Sequence, residues 1–173
     1  MKKIKILIVS MLCFLFISAQ AQDTLRVPES MGIDSVKKYK VQIYPGFGVS
    51  LVRNDLAPVF YINLGLNYRD RYEMNVNTSS FFFFEKGIDN KYNIYRNTFL
   101  NAEFLLNFSM FNKKERDFNG LGVGYLIEDK GTYFSEATMM IYYKKKFKFF
   151  SVQPGIILEN DFQDVFPVIS IRL

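Results

Sequence analysis

The sequence predicts an all-β protein, specifically an eight-stranded antiparallel up-and-down transmembrane β-barrel, on three observations. Segments of about ten residues alternate apolar and polar side chains, which is typical of strands long enough to cross a bilayer when tilted. The polar faces carry Asn, Ser, Gly and isolated carboxylates rather than the lysines of a water-facing surface. After the N-terminal segment, no stretch approaches 18 consecutive apolar residues. A closed sheet is therefore the expected way to place this backbone in lipid.

The N-terminus has the pattern of a secretory signal peptide. Lys2, Lys3 and Lys5 precede an apolar run that ends in Ala19-Gln20-Ala21, an A-x-A cleavage site. We therefore expect a cleaved signal peptide over residues 1–21 and a flexible periplasmic leader over residues 22–38. The barrel is expected over residues 39–173, in the outer membrane.

Composition narrows the function classes. The single cysteine, Cys13, lies inside the signal peptide and is not preceded by the small residue that lipoprotein processing needs, so we expect neither lipidation nor disulfides. Once the signal lysines are removed, the net charge of +5 falls close to balance, which argues against a nucleic-acid partner. The expected partners are outer-membrane lipid and an unidentified envelope protein, and the barrel is expected to be monomeric.

The first three strands are predicted over 39–52, 57–68 and 72–84. Pro45 is awkward inside a strand, and Pro45-Gly46 is expected to form a bulge that tolerates the missing donor. The second and third strands form a hairpin hinged on Arg69-Asp70. The run Phe81–Phe84 is expected to place two rings outside as a membrane-interface girdle and two inside as a plug.

The remaining strands are predicted over 92–108, 118–127, 132–143, 147–158 and 165–173. Gly120, Gly122 and Gly124 share one face of the fifth strand, and no helix pattern follows them, so we interpret them as space for bulky neighbours in a narrow barrel rather than as a nucleotide site. Lys144-Lys145-Lys146 is interpreted as a solvated turn.

Strand parity predicts a polar network inside the lumen. A barrel of eight strands is just wide enough to be filled by its own side chains. Buried carboxylates need partners, and Arg172, Arg69 and inward tyrosines are the expected partners of Glu73 and Glu103. The predicted network consists of Tyr61, Asn63, Arg69, Glu73, Asn75, Asn101, Glu103, Glu136, Gln153 and Arg172.

The chain from about residue 39 onward resembles the small outer-membrane β-barrel proteins of the OmpA/OmpX-like, PorT-like group. The resemblance rests on the signal peptide, the alternating strands, the Tyr-Arg-Asp-Arg-Tyr turn at 68–72, Tyr-Lys-Lys-Lys-Phe-Lys-Phe at 143–149, Gln-Pro-Gly at 153–155 and the final Pro-Val-Ile-Ser-Ile-Arg-Leu. Members of this group are structural, adhesive or secretion-accessory proteins. The resemblance therefore implies location and fold only.

The sequence favours a non-enzymatic barrel that is structural or accessory to an envelope or secretion machine. The chain contains no His, the usual general base of hydrolytic barrels, and we interpret Glu73 and Glu103 as lumen residues rather than an acid/base pair. No cofactor is expected; Glu159, Asp161 and Asp164 could hold a divalent cation only loosely at the surface. The alternatives are a narrow outer-membrane channel or transporter, and a soluble lipocalin-like barrel that binds an apolar ligand inside.

Overall fold

The computed structural model describes residues 39–86, 92–108, 118–131, 133–135 and 137–173. These residues form one closed sheet in which each strand pairs antiparallel with the next and the last pairs with the first. The strands are β1 Tyr39–Val52, β2 Asp55–Tyr68, β3 Tyr72–Lys86, β4 Tyr92–Asn107, β5 Phe118–Asp129, β6 Met139–Lys146, β7 Ser151–Glu159 and β8 Asp164–Arg172. The predicted eight-stranded up-and-down barrel is confirmed.

Several sequence-based predictions fall on other parts of the chain. The predicted signal peptide, the predicted leader and the connection between the predicted fourth and fifth strands lie outside the described residues. No helix within the described ranges is long and apolar enough to cross a membrane.

Each strand buries alternate residues, as its sequence period predicts. In β2, Tyr61 and Asn63 are 6% and 1% exposed, whereas their neighbours Ile62 and Leu64 are about half exposed. The same alternation places Phe81 and Phe83 inside and leaves Phe84 exposed. Because successive strand residues point to opposite faces, one continuous set of side chains fills the barrel and the other covers its outside.

The two ends of the barrel differ in their connections. The loop end carries the Arg53-Asn54 turn, the β5–β6 connection and residues 160–163; the turn end carries residues 69–71 and 147–150. Arg53 and Asn54 both have positive φ, 51° and 77°, between the paired residues Val52 and Asp55. Two residues with positive φ are what a two-residue type I′ hairpin turn requires, so this turn fixes the β1–β2 register.

The predicted bulge at Pro45-Gly46 is absent. The β1–β2 register runs without a shift, and Pro45 pairs directly with Ile62. On the other side of β1, the ladder with β8 covers Gly48–Val52 and continues through one bond from the Leu173 amide to the Phe47 carbonyl. Pro45 lies two residues before Phe47, so its nitrogen faces the same side of β1 as the Phe47 carbonyl. This position lies beyond the end of the β1–β8 ladder, so no backbone N–H donor is needed there. The register shift in the sheet lies instead between Thr98 and Phe99, where β4 pairs with β5.

The predicted boundaries of the sixth and seventh strands were wrong. Lys144, Lys145 and Lys146 continue β6 instead of forming a turn, and the chain turns over 147–150, where the Phe147 amide donates to the Phe150 carbonyl. β7 therefore starts at Ser151 rather than at residue 147. β6 also starts later than predicted, at Met139 rather than at residue 132. The lysines remain in β6 because Lys144 and Lys146 form ion pairs with carboxylates inside the barrel.

Candidate functional site in the barrel lumen

The turn-end half of the lumen is built around two buried carboxylates. Glu103, on β4, is 5% exposed, and its Oε2 accepts from Lys144 Nζ at 2.7 Å while its Oε1 accepts from the Tyr142 hydroxyl at 2.7 Å. Lys144 is itself only 4% exposed. An ammonium and a carboxylate that are both removed from water stabilise each other's charge. Removing either group leaves the other as a buried charge without a partner.

The second carboxylate belongs to Glu73 on β3. It is 2% exposed, and both of its oxygens accept from Lys146 Nζ, at 2.9 and 3.0 Å. Lys146 is partly open at the rim of the turn end, and its Nζ lies 5.8 Å from the ring centroid of Tyr44. This pair therefore closes the polar half of the lumen toward the turn end.

Asn75 joins the two ion pairs into one network. Its Nδ2 donates to Glu73 Oε1 at 2.9 Å and to Glu103 Oε2 at 3.1 Å, and its Oδ1 accepts from Asn63 at 3.3 Å. The amide thus has all of its partners among the network's own side chains. A buried polar network of this kind stabilises when its members are satisfied; Asn75 and the two carboxylates are, whereas Asn63 Oδ1 has no hydrogen-bond partner among the described residues.

A second amide cluster lies further toward the loop end. Asn101 Nδ2 donates to Asn77 Oδ1 and to Ser79 Oγ, each at 2.9 Å, and Ser79 in turn donates to Asn77 at 3.0 Å. Arg172 reaches the same Asn77 oxygen at 3.5 Å from β8. The lumen is thereby cross-linked between strands that are not neighbours in the sheet.

Glycines give this network its room. A Cβ atom on Gly122 would meet the Tyr142 ring, and one on Gly120 would meet the backbone of Phe104 and Leu105. The prediction that the inward glycines of β5 make room for bulky side chains from other strands is confirmed at Gly122 and at Gly124, where the neighbour is Asn101.

The loop end is closed by an aromatic plug, which we define as Phe81, Phe83, Phe99, Tyr133 and Phe134. Tyr133 and Phe134 come from the β5–β6 connection; Tyr133 stacks on Phe83 with ring centroids 3.6 Å apart, and Phe134 meets Phe83 and Phe99 edge-on at 5.5 and 5.4 Å. Tyr133 and Phe134 fall within the range predicted for the sixth strand, 132–143, but neither is a strand residue, so strand alternation does not decide which way they point.

Arg53 fastens the plug from the β1–β2 turn. Its guanidinium donates to the Tyr133 carbonyl at 2.9 Å and to Glu159 Oε2 at 2.6 Å, and it lies 3.7 Å above the Phe166 ring. The Tyr133 hydroxyl donates to Asp55 at 3.1 Å. Burial, together with this bond to a carboxylate, raises the pKa of Tyr133 above its ordinary value, so the hydroxyl stays protonated as a donor.

Most of the predicted network residues come together, but two do not. Arg69 lies in the turn after β2 with φ 52° and is exposed, so it pairs with neither carboxylate, and Glu136 lies outside the described residues. Gln153 and Arg172 are both 2% exposed inside the barrel, and the Tyr61 hydroxyl donates to the Leu173 carbonyl at 2.5 Å. Tyr61, Asn63, Glu73, Asn75, Asn101 and Glu103 lie where parity placed them.

Lys144 and Lys146 are the functional residues that the sequence analysis missed. A signal was present, because Met140, Tyr142, Lys144 and Lys146 continue one inward face at period two. The local run of charge favours solvent exposure, whereas the buried carboxylates of Glu73 and Glu103 need cations, which another strand supplies.

The arrangement holds charge in place and offers little chemistry. Glu73 and Glu103 are each held by a lysine, so neither is free to act as a general base. Within the described ranges, no three acidic, His or Cys side chains are grouped so as to hold a metal ion. Glu159 Oε2 accepts from Arg53, and Asp164 Oδ2 accepts from Asn160.

Comparison of the chain with protein-family models, with curated proteins and with solved structures found no match.

Proposed function

We propose that this protein is an outer-membrane β-barrel with a closed lumen, structural or accessory to other envelope components rather than an enzyme or a pore. The observation that carries the proposal is one apolar row around the outside. The row contains one residue from each strand, and each is the register partner of the next: Ile43, Leu64, Val76, Ala102, Val123, Ile141, Ile156 and Pro167. This row winds around the outside without closing on itself, and exposed apolar residues such as Val41, Leu66 and Leu121 extend the surface beside it. Together they far exceed the apolar patches that soluble monomers expose.

An aromatic girdle at the turn end supports the same proposal. On the outside of β1 to β4, Tyr39 contacts Tyr68 with ring centroids 4.9 Å apart, Tyr68 contacts Tyr72 at 6.3 Å, and Tyr72 contacts Phe104 at 6.3 Å. Rows of aromatic side chains beside an apolar band are typical of the membrane interface, where one part of the ring is in lipid and the hydroxyl is in water.

The polarity of the interior argues against the lipocalin-like alternative. Such a barrel would hold apolar side chains around a ligand cavity, but here the turn-end half of the lumen is lined by Glu73, Asn75, Glu103 and Lys144. Its apolar half is filled by the aromatic plug rather than open to a ligand. The apolar surface that needs covering is on the outside.

Gel mobility tests the membrane barrel directly. Folded membrane barrels resist SDS, so protein extracted from the outer-membrane fraction is expected to migrate differently before and after boiling. The matched control is the same sample unfolded in urea before loading, which should run at the boiled position without heating. Identical mobility in all three lanes, with the protein recovered from the soluble periplasmic fraction, would contradict the proposal.

The closed lumen predicts silence in a conductance experiment. The aromatic plug occupies the loop end and the Glu73–Lys146 pair lies at the turn end, so we do not expect a continuous wet path between the described side chains. Purified protein in planar bilayers is therefore expected to show no single-channel steps. An established porin inserted by the same procedure is the positive control. Reproducible unitary currents would favour the channel alternative and overturn the closed-lumen proposal.

A further inference from the structure

Arg172 lies inside the barrel with one edge of its guanidinium free. The residue is 2% exposed, and its Nη1 donates to Asn77 Oδ1 at 3.5 Å. Its Nε and Nη2 have no hydrogen-bond partner among the described residues. These two nitrogens belong to the same edge, and their N–H bonds point in parallel, which is the fork that binds an anion with two hydrogen bonds.

Among the described lumen residues, one cation is in excess. Lys144 neutralises Glu103 and Lys146 neutralises Glu73, which leaves Arg172 without a carboxylate of its own in this part of the chain. Arginine cannot release its proton. A buried cation without a counter-charge is strongly unfavourable, so an anion beside Arg172 is stabilised.

The groups around Arg172 include an aromatic ring and an amide donor, and the Glu103 carboxylate, held by Lys144, interacts with it electrostatically. The Tyr61 ring lies 5.2 Å from its guanidinium carbon. Gln153 lies on the adjacent strand, where the register pairs it with Ser170, two residues before Arg172, and both side chains point inward. The amide nitrogen of Gln153 also has no hydrogen-bond partner among the described residues.

We propose that the lumen binds one small monovalent anion, such as chloride, on the Nε and Nη2 edge of Arg172. A monovalent ion balances the charge of Arg172, and the neighbouring Gln153 amide completes its coordination. This inference goes beyond the proposed function and does not depend on it, since the excess charge is inside the barrel whatever surrounds the outside.

The test is thermal unfolding of the purified barrel in sodium chloride and in sodium gluconate at equal ionic strength. Gluconate is a much larger anion than chloride and serves as the reference, so the unfolding temperature is expected to rise saturably by a few degrees as chloride replaces it. Arg172→Gln should abolish this dependence. Lys148→Gln removes an exposed cation from the 147–150 turn and should retain it. Equal unfolding temperatures of the wild type in both salts, or a dependence that survives Arg172→Gln, would overturn the proposal.

A second measurement uses the unmodified protein and decides the question even if Arg172→Gln fails to fold. Crystals grown in sodium bromide should give an anomalous peak within hydrogen-bond distance of Arg172 Nε and Nη2. A well-ordered lumen without that peak would overturn the anion site. Neither result bears on the heat-dependent gel shift, so failure of the anion site and failure of the membrane-barrel proposal are distinguishable.

Discussion

Replacing Lys144 with methionine is expected to lower the free energy of unfolding by about 3–5 kcal/mol, because it leaves the Glu103 carboxylate buried without its cation. Methionine keeps most of the length of the lysine stem, so the change isolates the charge. Unfolding in detergent micelles by urea, followed by far-ultraviolet circular dichroism because the chain has no Trp, measures it.

The adjacent lysine supplies the control. Lys145 points away from the lumen, toward the Phe147 ring at 5.2 Å, so Lys145→Met should change the free energy of unfolding by less than about 0.5 kcal/mol. Adding Glu103→Gln to Lys144→Met should recover much of the loss, since the unpaired charge then disappears. Equal effects at 144 and 145 would mean that the buried pair does not stabilise the barrel.

Replacing Val76 with arginine is expected to destabilise the barrel in lipid vesicles by about 2–4 kcal/mol, the cost of a cation near the middle of the hydrocarbon layer. Val76 is half exposed and lies in the apolar row between Leu64 and Ala102. Folding into vesicles at increasing urea, scored by the heat-dependent gel shift, measures this cost.

Leu56→Arg is the matched control. Leu56 is an even more exposed apolar residue, but it lies beside the Arg53-Asn54 turn, where a membrane-spanning barrel leaves the hydrocarbon. A depth-dependent cost there should be only about 0–1 kcal/mol. If both arginines are tolerated equally, the outside of the barrel faces water and the membrane proposal fails.

The strand faces could be predicted from the sequence because alternation is a local property. Whether Asn63 points inward depends only on its place in β2, and the same holds for Glu73 and Glu103 in their strands. The glycines of β5 could likewise be assigned to the inner face by parity. Fold class and most lumen residues followed from this one rule.

The partners inside the lumen could not be predicted in the same way. Glu73 and Lys146 are separated by 73 positions and Glu103 and Lys144 by 41, so their meeting depends on strand stagger and barrel closure. A run of three lysines is typical of a solvated turn. β6 extends through it because Lys144 and Lys146 pair with carboxylates that are distant in the sequence. Tyr133 and Phe134 were missed for a related reason, because they fold inward from a connection with no period.

The cross-lumen ion pairs also have a consequence for assembly. The carboxylates of Glu73 and Glu103 lie on β3 and β4, but their lysines arrive only with β6, and the β1–β8 ladder closes later still. If the barrel spans a membrane as proposed, a partly inserted sheet that ended at β4 would hold these two acids without their lysines, and each would have to stay charged at a high cost or take up a proton. We therefore expect insertion to be late and concerted, with the N-terminal strands in a wet or protein-lined environment until the sixth strand is in register.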